Sequence, residues 1–264
     1  MSTQLPKVLI TGASSGIGAT YADRFARRGH DLVLVARDET RMRALAERLQ
    51  HETRAAIQIL KADLTSPADL ARVESLARED ERIGVLVNNA GMAAHGTFAA
   101  PDLDDIQRLL LLNVTALTRL VAAVVPRYLR QGAGAIINIA SVVGLAPELP
   151  LGAYGASKSY VLTLSQSLQS EFGPRGIYVQ AVLPAATGTE IWERSGRDAN
   201  RLGAVMDVNE MVDAALVGFD RREAVTLPSL PDVEQWNAFE AARRAMLPNF
   251  GNAHAAERYS QTQR

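Results

Sequence analysis

The chain has 264 residues, 47% hydrophobic and 22% charged, which predicts one large globular domain over residues 1–264 with room for a substantial core. A formal net charge of −1 and a pI near 6.4 lack the basic excess that nucleic-acid binding requires, so small molecules are the expected partners. The absence of cysteine excludes disulfides and thiolate metal sites and fits a reducing compartment.

The opening MSTQLPKVLI lacks the long apolar run of a signal peptide, which predicts a cytoplasmic protein. KVLIT (7–11) reads as a first strand, and TGASSGIG follows it, with glycines at 12, 16 and 18, opening a helix over 17–28. DLVLVA (31–36) is a second strand and 39–52 a second helix; AIQILKA (56–62) is a third strand. The next helix, 67–80, takes Ser66 as N-cap and Pro67 at its first position. GVLVNN (84–89) is a fourth strand. The apolar stretch Leu109 to Pro126 is interrupted by Asn113, Thr115, Thr118 and Arg119 and does not read as a membrane span. GAIINIAS (134–141) and IYVQAVLP (177–184) are the fifth and sixth strands, separated by GAYGASKSY (152–160) and an apolar helix. After Pro184 the pattern loosens: 186–205 is expected to be a mobile loop that covers substrate, 209–220 a helix and AVTLP (224–228) a last strand. From about 229 to 264 the chain reads as a partly ordered C-terminal extension with helical stretches around Trp236 to Met246.

The strands are nearly continuous in apolar character and alternate with helix-length crossovers. That pattern predicts a doubly wound α/β fold, a parallel sheet of the Rossmann type with helices on both faces.

Three local patterns carry chemistry. Glycines in a strand-to-helix turn let the backbone approach a pyrophosphate at a helix N-terminus, although such a turn also serves simply as a tight connection. At the end of the second strand, where an acid would bind a ribose 2'-hydroxyl, Ala36 is followed by Arg37. An arginine there suits a 2'-phosphate and favours NADP over NAD; the plainer reading is a solvated charge beside Asp38. Tyr154 and Lys158 are one helical turn apart, so a lysine ammonium can favour the phenolate of a tyrosine that moves protons; alone, the spacing equally suits a surface pair. The four histidines, His30, His51, His95 and His254, have no i, i+4 pairing and are expected at the surface, with no metal site.

Taken together, TGASSGIG, NNAG (88–91), NV (113–114), Ser141 and YGASK (154–158) occur in order over roughly residues 5–190, and by these motifs the sequence resembles the short-chain dehydrogenases/reductases. The resemblance implies an NADP(H)-dependent oxidoreductase acting on a carbonyl or secondary alcohol. It implies that Tyr154 is the acid/base, Lys158 lowers its pKa and holds the nicotinamide ribose, Ser141 binds the substrate oxygen, and Asn113 supports the lysine. For the cofactor it implies a pyrophosphate turn of Gly12, Ser14, Ser15, Gly16, Ile17 and Gly18, an adenine contact from Asp63 beside Leu64, and a wall of Asn89, Ala90 and Gly91. The nicotinamide segment PAATGT (184–189) departs from the family pattern: beyond Pro184, Ala185 stands for a glycine and Thr187 for an aliphatic residue, with Thr189 in place. That departure bears on the local backbone.

A non-catalytic NADP-binding regulator of the same fold is the alternative, and the complete Asn, Ser, Tyr and Lys set argues against it. Val143, Ile191 and Trp192 join Ser141 and Tyr154 as expected substrate contacts, pointing to an apolar or neutral carbonyl compound; Ile191 and Trp192 are equally readable as core. The family commonly pairs the helices after the fourth and fifth strands. Here those carry apolar runs over 109–125 and 160–172, so a homodimer or homotetramer is expected.

Overall fold

The structure, a computed structural model, describes residues 5–93, 95–191 and 204–259. The chain divides into two compact units, Met1–Ser229 and Leu230–Arg264. The first is built as β1 (Lys7–Thr11), α1 (Gly16–Arg27), β2 (Leu32–Ala36), α2 (Glu39–Glu52), β3 (Ile57–Lys61), α3 (Pro67–Glu79) and β4 (Ile83–Asn88). It continues with α4 (Leu103–Leu110), a π-helical turn (Leu111–Ala116), α5 (Leu117–Gln131), β5 (Gly134–Ile139), α6 (Gly152–Phe172), β6 (Ile177–Val182), α7 (Val208–Asp220) and β7 (Val225–Thr226). The second unit contains α8 (Val233–Ala245) followed by short 3-10 turns.

The main sheet has seven strands in the order β3-β2-β1-β4-β5-β6-β7, every pair in it parallel. This is the doubly wound sheet expected from the alternation of apolar runs and helices. Strand order reverses between β1 and β4, which opens a crevice at their carboxyl ends. Central strands are buried on both faces: all of Leu32–Ala36 is enclosed, as are Val8, Leu9 and Ile10 beside it. By contrast β3, at the edge, exposes Gln58 and Lys61, polar residues suited to a strand with one open side.

Two local features differ from the sequence reading. Ser66 occupies the N-cap position of α3 with extended backbone, but its side chain makes no capping bond. Instead the Asp69 carboxylate, in the first turn, accepts the Asp63 N–H at 2.8 Å. The helical run Leu103–Gln131 is long and apolar enough to cross a membrane by length and composition alone, and half of its most apolar window is buried inside the fold, as in a core helix.

A polar ladder crosses the sheet beneath the site. Asn88 Nδ2 donates to Asn138 Oδ1 at 2.9 Å, and Asn138 Nδ2 donates to Ser165 Oγ at 2.9 Å, all three buried. Buried amides tolerate few arrangements, so this ladder sets the position of α6 against β4 and β5.

Candidate active site

Every predicted motif lies at the carboxyl end of a strand or in the helix that follows. In the β1–α1 turn, Gly12 has φ +65° and Gly18 has no room for a side chain: a Cβ there would collide with Gly12 O and the Asn89 amide. Asn89 Nδ2 donates to Thr11 O (2.9 Å) and Gly12 O (3.1 Å), while Thr11 Oγ1 accepts the N–H groups of Asn89 and Ala90, each at 3.0 Å. The Gly-rich turn and the NNAG segment are thus one braced unit. Ser15 sits at the N-cap of α1 without a side-chain capping bond, Ser14 lies in the turn before it, and Ile17 packs against the hydrophobic core. The first-turn amides of α1 are left to face a ligand.

Arg37, just past β2, is exposed and forms no ion pair among the described residues. Its neighbour Asp38 is engaged elsewhere, capping α2 through the Arg41 N–H at 3.0 Å and pairing with the Arg41 guanidinium at 3.4 Å. Asp63 uses Oδ1 to hold Thr65, accepting from its N–H (2.9 Å) and Oγ1 (2.7 Å), with Leu64 buried beside it.

At the far end of the crevice, Tyr154 and Lys158 are both buried on the first turns of α6. Lys158 Nζ donates to Ile139 O at 2.8 Å and lies 5.6 Å from the centre of the Tyr154 ring. Burial pushes the lysine down to about 8, still above neutral, so the ammonium keeps its charge beside the phenol at pH 7. Asn113 lies in the π-helical turn, a widened helix frequent at functional sites. Its side chain clips the strand exit: Oδ1 accepts the Met92 N–H (2.9 Å), and Nδ2 donates to Met92 O (2.8 Å) and Ser157 Oγ (3.1 Å). A Cβ at Gly91 would lie 3.3 Å from Asn113 Oδ1 and 3.7 Å from Lys158 Nζ, so the glycine separates the two.

Ser141 is buried at the exit of β5, its Oγ donating to Pro184 O at 3.2 Å and accepting from Val143 N–H at 3.4 Å. Thr187 Oγ1 donates to Ala185 O at 3.0 Å, and the Thr189 methyl packs over Gly16, 3.0 Å from where its Cβ would be. Outside glycine, Arg222 alone among the described residues has positive φ, so Ala185 replaces the usual glycine without strain. Val143 and Ile191 join the apolar cluster around Tyr154. Trp192 and most of the expected covering loop lie outside the described residues.

A family model described as short chain dehydrogenase matches residues 6–200. The chain belongs to the short-chain dehydrogenase family. Among solved structures it is similar to a short-chain dehydrogenase from Sphingobium yanoikuyae in complex with NADPH, at 62% identity, covering 97% of this chain and 100% of that one, with a TM-score of 0.95. It is also similar to the bulky-bulky ketone specific alcohol dehydrogenase from Comamonas testosteroni, at 57% identity over 97% and 99% of the two chains, with a TM-score of 0.90. Among curated relatives, the very-long-chain 3-oxoacyl-CoA reductase of Bos taurus is 32% identical over 69% of this chain, which spans 60% of that protein's length.

In this dehydrogenase the fold adds residues that no motif marked. Arg41 pairs with Glu190 at 2.6 Å, tying α2 to the segment beyond β6. Asp105, buried in α4, accepts the His95 N–H at 2.7 Å, contacts His95 Nδ1 at 3.0 Å and accepts from Arg108 at 3.0 Å. Burial raises the Asp105 pKa, but these donors outweigh it and hold the carboxyl below the usual carboxylate range. His95 is exposed, as expected of a surface histidine, but it is not loose, since its backbone N–H and ring nitrogen are tied to the buried Asp105.

Proposed function

We propose that this chain is a cytoplasmic, NADP(H)-dependent oxidoreductase that interconverts a carbonyl and a secondary alcohol on an apolar small molecule. The observation that carries the reading is the buried Lys158 ammonium beside Tyr154, which clusters with Val143 two residues past Ser141, at the end of a crevice that begins with a glycine cradle. The NADPH of the Sphingobium structure and the bulky ketones of the Comamonas enzyme support the cofactor and the substrate class.

The residues fit the dinucleotide. The β1–α1 turn, closed to side chains at Gly12 and Gly18 and with the N-terminus of α1 uncapped by any side chain, would hold the pyrophosphate, Arg37 the 2'-phosphate, and Asp63 and Asn89–Gly91 the adenosine end. Thr187 and Thr189 would border the nicotinamide. When bound, the cofactor supplies or accepts the hydride. Tyr154 gives its phenolic proton to the carbonyl oxygen in reduction and takes it back in oxidation. Lys158 favours the phenolate by charge at short range in a dry site. The Ser141 hydroxyl turns from Pro184 O to donate to the same oxygen, and Asn113 holds Met92 and Ser157 so that the wall and the lysine keep their places.

A fluorescence titration with NADPH and NADH, on the wild type and on Arg37→Ala, tests the cofactor assignment. NADPH should bind more tightly, and the substitution should weaken it roughly tenfold or more while leaving NADH nearly unaffected. Equal binding of the two by the wild type would reduce Arg37 to a surface charge.

A further inference from the structure

Beyond Asn113 and Asp105 the wall of the site continues into a short antiparallel hairpin, Gly96 opposite Pro101 and Thr97 opposite Ala100. The strand exit that leads to it is held at Met92 by Asn113 and at His95 by the buried Asp105. This is a braced projection, and Phe98 stands at its tip. The ring packs on the first residue of α6: a Cβ at Gly152 would lie 2.6 Å from Phe98 Cε2, and Gly152 has φ +45°, a conformation that L side chains rarely adopt. Gly152 therefore suits the site twice over, by its backbone and by the room it leaves for the ring. Two residues further on is Tyr154, in an apolar cluster with Ala93, Leu109 and Val143, with Leu151 and Ile191 against it.

Although one part of the ring rests on Gly152, Phe98 is 68% exposed. An aromatic side chain left so open on a braced element offers apolar surface beside the cluster that surrounds the acid/base. We infer that Phe98 is a specificity-determining residue, an apolar lip against which the larger substituent of the carbonyl substrate packs while its oxygen meets Tyr154 and Ser141. The inference rests on the carbonyl reductase reading above.

The test compares NADPH-dependent reduction of a methyl ketone with that of the same ketone bearing phenyl in place of methyl, in wild type, Phe98→Ala and Phe98→Leu. The ratio of kcat/KM for the bulky over the methyl ketone should fall about tenfold in Phe98→Ala, mainly through KM, and recover in part in Phe98→Leu. NADPH affinity in a fluorescence titration should not change. An unchanged ratio overturns the lip, whether both ketones lose rate equally or neither does, and an accompanying change in sedimentation would make Phe98 a contact between copies. A wild type that binds NADPH but reduces neither ketone overturns the functional reading and the lip together.

Discussion

Lys158 shows how one side chain ties chemistry to stability. Its burial lowers the pKa to about 8 from an ordinary 10.5, so below about 8 the folded protein carries the full cost of enclosing an ammonium that the unfolded chain leaves in water. That cost is relieved as pH rises from about 8 to 10.5. In urea denaturation, wild type should therefore gain stability relative to Lys158→Met across that window and hold a constant difference below it. Tyr154 is tested more directly: Tyr154→Phe keeps the ring in its apolar cluster and removes only the proton carrier. Turnover should fall by roughly two to four orders of magnitude, with NADPH affinity within about twofold of wild type; substantial residual turnover would remove the residue from its role. The spacing of these two residues was visible in the sequence because a helix repeats every three to four positions. Ser141 shows the limit of such reading: its hydroxyl is turned toward Pro184 O, a partner set by the neighbouring strand.

Among the elements, the β1–α1 turn is the most constrained. Gly18→Ala would drive a methyl into Gly12 O, a backbone atom, and into an Asn89 amide already committed to two carbonyls, so neither can yield cheaply. A destabilisation of roughly 1–3 kcal/mol is expected, visible as a lower Tm, together with weakened NADPH binding. A variant with unchanged Tm and affinity would mean that the turn is looser than its geometry. The sequence marks this element through its glycines, since few other residues accept such backbone. It gives no comparable sign of the π-helical turn around Asn113, because Leu111–Ala116 carries neither Gly nor Pro, the residues whose presence marks an irregular backbone. The segment after β6 behaves likewise: the substitution of alanine at 185 looks disruptive in sequence, yet the backbone there needs no positive φ.

For the whole molecule, the exposed apolar side chains Leu110 on α4 and Tyr160 on α6 lie on the helices expected to pair copies. The proposed dimer or tetramer should appear by sedimentation velocity at micromolar concentration, and a monomer there would remove it. The doubly wound parallel α/β architecture followed from alternating apolar runs and crossover length, which are properties of consecutive residues, whereas the order of the strands and the crevice between β1 and β4 came from the folded sheet. The glycine turn and the tyrosine–lysine spacing were likewise legible in neighbouring residues, while Asn113 and Ser141 were named only by the family resemblance. Tertiary structure alone also decided which distant side chains meet: Arg41 with Glu190, Asp105 with His95, Phe98 with Gly152. None of these pairs has a local signature, since arginines, carboxylates and phenylalanines are common in any chain. Their partners are chosen by the path of the backbone through space, and only the folded sheet brings the two ends of that path together.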